Sequence, residues 1–309
     1  MKPTIGVIGL GIMGGAMAIA LVEAGYRVVG YDIAPAPRQR LRRARGRALA
    51  SSTAVAQRAD VVITSLASVA ALDDAMQQIV AAKRGKRATP LTVIEMSTLP
   101  VADKERFAAA LARVGAAVVD CPISGTAVRL KERTWQLLVS GKPADCERVE
   151  PILRVFTDHK PYVGAFGHGT KMKFLANHLV AIYNVAYGEL MMFARKMGLS
   201  TRRVHKLFGW SPALGTGVLK LRGGMMVERR YTPPTMKIEV WQKDMQVIGD
   251  MAKLIGAPTP LFTACAPIYT AAMGQGLAKS DTAAVCEVLE RMAGIAPKRR
   301  ARSRAVPSR

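Results

Sequence analysis

Apolar residues in the first half of the chain come in short runs, at residues 4–8, 26–31, 61–65, 92–95 and 117–120, each bounded by polar or glycine-containing turns. Runs of this length are too short for helices and predict buried strands. Residues 136–140 and 161–163 predict two more. The stretches between them fit helices, as at 100–114, where Thr98 is placed to cap and Pro100 to occupy the first turn. Such alternation argues a doubly wound parallel sheet of the Rossmann type, with ligands gathered at the carboxyl ends of its strands. The pattern changes after Gly164. Phe174, Leu175, Leu179, Ile182, Val185, Ala186, Leu190 and Phe193 recur at helical spacing down to Met197. Thr170 is placed to cap this helix, Arg195 and Lys196 suit its negative end, and Gly198 stops it. It should run about 27 residues, roughly 40 Å. Everything later has helical spacing, at 201–208, 213–221, 236–255, 261–275 and 282–293. The expected organisation is therefore α/β, with a sheet domain at 1–164 and an all-α domain at 165–295, joined by the long helix. Residues 296–309 have almost nothing to bury and are expected to be a disordered basic tail.

The first strand feeds directly into Gly9-Leu10-Gly11-Ile12-Met13-Gly14, and a helix follows to about Ala24. Each glycine has a separate task. Gly9 makes the tight turn, Gly11 lets a pyrophosphate approach the backbone, and Gly14 lets helix and strand pack closely. The helix N-terminus then presents partial positive charge to the phosphates. A lone GxGxxG is a weak signal, but here it lies between strand and helix, with Asp32 about twenty residues further on. Asp32 can accept hydrogen bonds from the adenosine ribose, which favours NAD; Arg38 and Arg40 downstream keep NADP as the lesser alternative. Gly9, Gly11, Ile12, Met13, Gly14 and Asp32 are thus the expected cofactor-binding residues. Leu66, Ala67, Ser97 and Thr98, at the ends of later strands, join them. Ser124, Gly125 and Thr126 follow another strand, where ligands also gather.

Lys173 and Asn177 lie four apart on the first turns of the long helix, so they project from one face. A lysine and an amide side by side could bind or protonate a small oxygen-bearing substrate; on spacing alone, a solvated lysine and a satisfied amide are the commoner account. At 309 residues the chain can form two domains. Cys121, Cys146, Cys265 and Cys286 show no CxxC pairing, and the four histidines are scattered, so we expect reduced thiols in a cytoplasmic protein and no metal site. The uncharged run from residue 5 to 22 mimics a signal peptide, but five glycines interrupt it, and neither secretion nor membrane insertion is expected. The net charge of +23 is concentrated between Arg38 and Arg47 and at the C-terminus. It would attract anions, yet no stacking or helix-turn-helix pattern accompanies it, so no specific nucleic-acid binding is expected.

Four segments in order resemble those of the β-hydroxyacid dehydrogenases, the group that includes 3-hydroxyisobutyrate dehydrogenase, tartronate semialdehyde reductase and, more distantly, 6-phosphogluconate dehydrogenase. They are IGVIGLGIMG, DCPISGTA, GHGTKMKFLAN and KDM. The resemblance implies a reversible hydride transfer between NAD and a short 3-hydroxy carboxylic acid, or reduction of the matching semialdehyde. It implies Lys173 as the acid–base group, Asn177 as its companion, and Ser124, Gly125 and Thr126 around the substrate. Lys243 would sit near both nicotinamide and substrate. Ala176 and Thr126 depart from the family pattern, where asparagine and glycine are usual, and Arg129, Arg133 and Trp135 stand where small residues or leucine are common. The alternative is a catalytically weak or inactive homologue that binds partners through its basic surface. Apolar positions on the long helix and on 236–275 exceed what one small helical domain can bury, so a homodimer or homotetramer is expected.

Overall fold

The computed structural model describes residues 2–83, 91–127 and 130–296. The expected basic tail therefore lies, apart from Ala296, outside the described residues, as does Arg129. The chain divides into two compact units, Met1–Ala176 and Asn177–Arg309.

In the first unit the elements follow as β1 (Thr4–Ile8), α1 (Ile12–Glu23), β2 (Arg27–Tyr31), α2 (Pro35–Arg43), β3 (Arg47–Ala48), α3 (Ser52–Ala56), β4 (Val61–Thr64), α4 (Val69–Lys83), β5 (Thr92–Glu95), α5 (Val101–Ala112), β6 (Ala117–Asp120), β7 (Ile123–Ser124), β8 (Gln136–Leu137) and α6 (Pro143–Leu153). Six strands form one parallel sheet in the order β3-β2-β1-β4-β5-β6. The order reverses beside β1, and this switch point is where open α/β sheets bind ligands. Successive residues feed opposite faces, as strand pleating requires. Ile5, Val7, Ile63 and Ile94 pack with Met17 and Leu21 on one side; Ile8, Val62 and Val93 pack with Leu72 and Phe107 on the other.

The five strongest predicted strands are all present. The two weaker ones are smaller than the sequence suggested. Of 136–140 only β8 is a strand, pairing antiparallel with β7, and Ser140 and Val139 make single bridges to Asp120 and Tyr162. The edge strand β3 has only two residues, too few for a readable pattern. Thr98 is not the cap of α5; Pro100 itself occupies that position and no side chain caps it.

The long helix α7 spans His168–Lys196, with its first turns in the first unit and the rest in the second. It starts two residues before the expected cap. Thr170 is inside the first turn, and its backbone N–H is accepted by the Asp120 carboxylate at 2.9 Å rather than Thr170 capping the helix itself.

The second unit continues with α8 (Thr201–Phe208), α9 (Gly217–Glu228), α10 (Ile238–Leu254), α11 (Pro260–Gly274) and α12 (Val285–Met292). Met191, Leu219, Met226, Ile238, Ala272 and Val288 form its core. Helix α9 begins at Gly217 rather than near 213, because the Thr216 hydroxyl accepts the Leu219 N–H at 3.1 Å and caps it there. It also runs past the expected end at 221, through two glycines. Gly223 has a packing reason: a Cβ there would lie 2.6 Å from the His205 ring of α8. Arg195 does more than face the helix dipole. It pairs with Glu290, which is fully buried, and donates to the Met226 carbonyl at 2.6 Å.

Candidate active site

The glycine loop has the geometry that its three tasks demand. Gly9 has φ +87°, in the region that favours glycine. A Cβ on Gly14 would lie 1.9 Å from the Gly9 carbonyl oxygen, so only glycine lets α1 pack so closely on the loop. A Cβ on Gly11 would meet nothing within 4 Å; the space beside it is open for a ligand. Beside the loop is a cavity of about 490 Å³, lined among others by Gly9, Gly11, Asp32, Ile33, Leu66 and Ala67. Ile12 is exposed, Met13 is half-buried, and neither lines that cavity.

Asp32 ends β2 and turns back on the loop. One carboxylate oxygen accepts the Leu10 N–H and the other the Ala34 N–H, both at 2.8 Å. An ionised carboxylate has about four acceptor sites. The two left over are what a ribose diol needs. Ser97 is buried behind the same cavity, where its hydroxyl accepts the Leu66 N–H at 2.9 Å and so holds the 65–67 loop. Thr98, beside it, is half-buried. These residues fit an adenine dinucleotide: an open glycine turn, a helix N-terminus and an anchored carboxylate at one cavity.

The candidate substrate residues of the first unit stand on the short β7–β8 hairpin. Ser124 pairs with Gln136 there. Gly125 has φ +152°, and a Cβ on it would lie 2.5 Å from Cδ1 of Trp135. Trp135 is fully buried and its indole N–H donates to the Thr126 carbonyl at 2.7 Å. That indole fixes the backbone of the Ser124–Thr126 segment from beneath. The Thr126 hydroxyl is buried with no hydrogen-bond partner.

Lys173 is half-buried on α7. Asn177, one turn on, is buried, and its amide donates to Asp244 Oδ2 at 2.9 Å. The other oxygen of Asp244 pairs with the Lys243 ammonium at 2.8 Å. In the second unit, α10 thus delivers a carboxylate that orients the amide of α7 and holds a partly exposed lysine. Asp244 was not among the predicted site residues. The signal was present in the KDM segment, where an acid follows Lys243 on an otherwise apolar helix face beside Trp241 and Met245. Among the described residues, no group of three or more His, Cys, Asp or Glu side chains is gathered to hold a metal, and no helix is long and apolar enough to cross a membrane.

Parallel sheet, glycine turn and anchored acid define a dinucleotide-binding domain. Residues 4–164 match the family described as the NAD binding domain of 6-phosphogluconate dehydrogenase, and residues 167–289 the one described as NAD-binding of NADP-dependent 3-hydroxyisobutyrate dehydrogenase. The chain belongs to the β-hydroxyacid dehydrogenase family. It is 28% identical to the 2-hydroxy-3-oxopropionate reductase of Escherichia coli K12, over 94% of this chain and 98% of that protein. It is 28% identical to the L-threonate dehydrogenase of Cupriavidus necator, over 93% and 96%. A solved Mycobacterium tuberculosis 3-hydroxyisobutyrate dehydrogenase with L-serine superposes with a TM-score of 0.82 at 26% identity, covering 94% of this chain and 99% of that one. The protein is an NAD(P)-dependent oxidoreductase of that family.

Proposed function

We propose that the chain interconverts a short 3-hydroxy carboxylic acid and its semialdehyde, with Lys173 as the acid–base group. Gly9, Gly11, Gly14 and Asp32 would hold the dinucleotide, which when bound would supply the hydride acceptor or donor. The chain's own task is the proton. Oxidising an alcohol leaves a developing oxyanion, and a positioned amine can take the hydroxyl proton and steady that charge. Asn177 stacks one turn above Lys173 on α7 and offers its carbonyl oxygen and remaining amide hydrogen to the substrate. Asp244 keeps that amide from rotating, and Lys243, held on the same carboxylate, attracts an acidic substrate. Ser124, Gly125 and the backbone of Thr126 bind the substrate's carboxylate or hydroxyl end.

The observation that carries this reading is the Asn177–Asp244–Lys243 arrangement, joined at 2.9 and 2.8 Å and partly open at the lysine. Relatives support the substrate class. The Escherichia coli relative is named for a three-carbon acid with a 3-oxo group, and the Mycobacterium tuberculosis one was solved with L-serine, a three-carbon acid with a 3-hydroxyl. Turnover on a panel of 3-hydroxy acids of three to five carbons, with NAD and with NADP, tests it; absence of turnover on every member would contradict it.

We also infer a homodimer or homotetramer. Leu175, Leu179 and Phe193 leave an exposed apolar stripe along α7, with Met197 just past its end, and Leu207, Trp210, Leu254 and Leu261 are exposed in and between the later helices. That much apolar surface is unusual on a monomer. Sedimentation as a monomer at micromolar concentration would refute it. All four cysteines are free and buried, which suits a cytoplasmic protein.

A further inference from the structure

The first unit buries a cation between two carboxylates that the reaction does not use. Lys104, Glu95 and Asp120 are all fully buried. The Lys104 ammonium lies 2.5 Å from Glu95 Oε2 and 2.5 Å from Asp120 Oδ1. It also donates to the Ser97 carbonyl at 2.9 Å and the Thr170 hydroxyl oxygen at 2.7 Å. Burying charges in this way is costly, and replacing such a cluster as a whole by well-packed apolar side chains is often neutral or stabilising. The arrangement has to serve something other than bulk stability.

Its connections say what. On one side, Glu95 Oε1 accepts the Ser97 N–H at 3.0 Å, and the Ser97 hydroxyl accepts the Leu66 N–H at 2.9 Å. On the other, Asp120 accepts the Thr170 N–H at 2.9 Å and the Thr170 hydroxyl at 2.7 Å. Ser140, which donates to Asp120 at 3.1 Å, accepts the Gly169 N–H at 2.9 Å. Two orphan N–H groups of the first turn of α7 are therefore satisfied from β6 and its neighbour, not from the helix's own cap. The start of α7 is also pressed home, since a Cβ on Gly169 would lie 2.3 Å from the Leu138 carbonyl oxygen. An unbroken chain of polar contacts leads from the loop at the dinucleotide cavity, through Ser97, Glu95, Lys104 and Asp120, to Thr170.

We propose that Lys104, Asp120 and Thr170 are positioning residues that set the first turn of α7, and through it Lys173 three residues on, in register with the dinucleotide-binding loops. This rests on the proposed acid–base role of Lys173 for its catalytic consequence, but not for its geometry. Asp120 supplies the negative charge that a helix N-terminus favours, and Lys104 makes that carboxylate tolerable in a dry interior. Burial raises the Glu95 pKa despite Lys104; the Lys104 pKa, which burial alone would lower, is instead raised by Glu95 and Asp120. The cation stays charged.

The test compares Thr170→Val, which deletes the hydroxyl and keeps the shape and the N–H, with Thr170→Ser, which restores the hydroxyl. Two readouts are taken on the full-length protein. The first is the rate at which acetic anhydride labels the Lys173 amine, followed by mass spectrometry, which needs no substrate. The second is kcat and the NADH dissociation constant. Positioning predicts that Thr170→Val changes Lys173 labelling at least about threefold and lowers kcat about tenfold or more, since a misplacement near 1 Å can cost on the order of 10²-fold. NADH binding should stay within about twofold, and Thr170→Ser should recover most of both losses. Unchanged labelling in a folded Thr170→Val protein overturns the proposal, as does an equal loss in Thr170→Ser. A labelling shift in a protein whose wild type turns over no hydroxy acid upholds the positioning and overturns the catalytic reading instead. Lys104→Met is the harsher companion; if it does not fold, the Thr170 pair still decides.

Discussion

Asp32 offers the sharpest test of cofactor choice. A carboxylate that bonds a ribose hydroxyl lies about 5 Å from a phosphate esterified there, and each pair of unit charges at that distance repels by ~0.8 kcal/mol at a dielectric of 80 or ~3.3 at 20. A 2′-phosphate carries roughly −1.5 or more, so the discrimination is between ~1 and ~5 kcal/mol. Asp32 is half-buried, which puts the value nearer the lower end, about 2 kcal/mol or roughly 30-fold. Asp32→Asn removes the charge while keeping one acceptor for the N–H groups of Leu10 and Ala34, which the carboxylate now holds at 2.8 Å. It also turns a charge-assisted ribose contact into a neutral one, costing NAD ~1 kcal/mol, about fivefold. The ratio of kcat/KM for NAD over NADP should therefore fall by roughly 10²-fold, most of it from improved use of NADP. Steady-state kinetics with both cofactors, with the variant's melting temperature as a control on the loop, reads this directly. A wild type that prefers NADP, or a variant whose ratio moves less than about threefold with the fold intact, would refute the electrostatic reasoning.

Two other perturbations follow from equally local geometry. Gly14→Ala puts a methyl 1.9 Å from the Gly9 carbonyl oxygen, so the turn or the helix must move; NADH affinity by fluorescence titration should drop at least about tenfold, and wild-type affinity would contradict the close-packing argument. In the second unit, burial works to raise the Asp281 pKa, but Arg222 and the N–H groups of Ala283 and Thr235 bring it below the ordinary value. A depressed carboxylate stabilises the fold fully above its unfolded pKa of about 3.9, and that contribution is lost as pH falls through the lower folded value. Thermal melts should therefore lose stability below pH ~4, and Asp281→Asn should be less stable at neutral pH with a flatter acid dependence; parallel curves would contradict it.

How much of this was legible in advance follows from what is local and what is not. The glycine turn, its strand and Asp32 are read within thirty consecutive residues, because each requirement is met by backbone a few positions away. Helix α7 was legible from its period, but its start was not, because its first N–H groups are capped by Asp120 and Ser140, distant in sequence. Lys104 carried a signal that went unread: with Val101, Phe107 and Leu111 it occupies the buried face of α5, where a charge demands a partner. The partners, Glu95 and Asp120, each end an apolar strand, and only the sheet register sets them side by side. Asp244 is a similar case, since the bond to Asn177 joins helices 67 positions apart. Helix α9 starts later than its apolar spacing suggests because Thr216 is the capping residue.

The account stands most directly on Lys173. NADH production from the best 3-hydroxy acid should be compared in wild type and Lys173→Ala, with NADH affinity measured alongside. A positioned acid–base group contributes on the order of 10²–10⁴, so kcat should fall at least ~10²-fold while NADH affinity stays within about twofold. Lys173→Arg should not rescue it, because a guanidinium cannot take the hydroxyl proton. Retention of more than about a tenth of wild-type kcat in Lys173→Ala would make the lysine a bystander and contradict the mechanism.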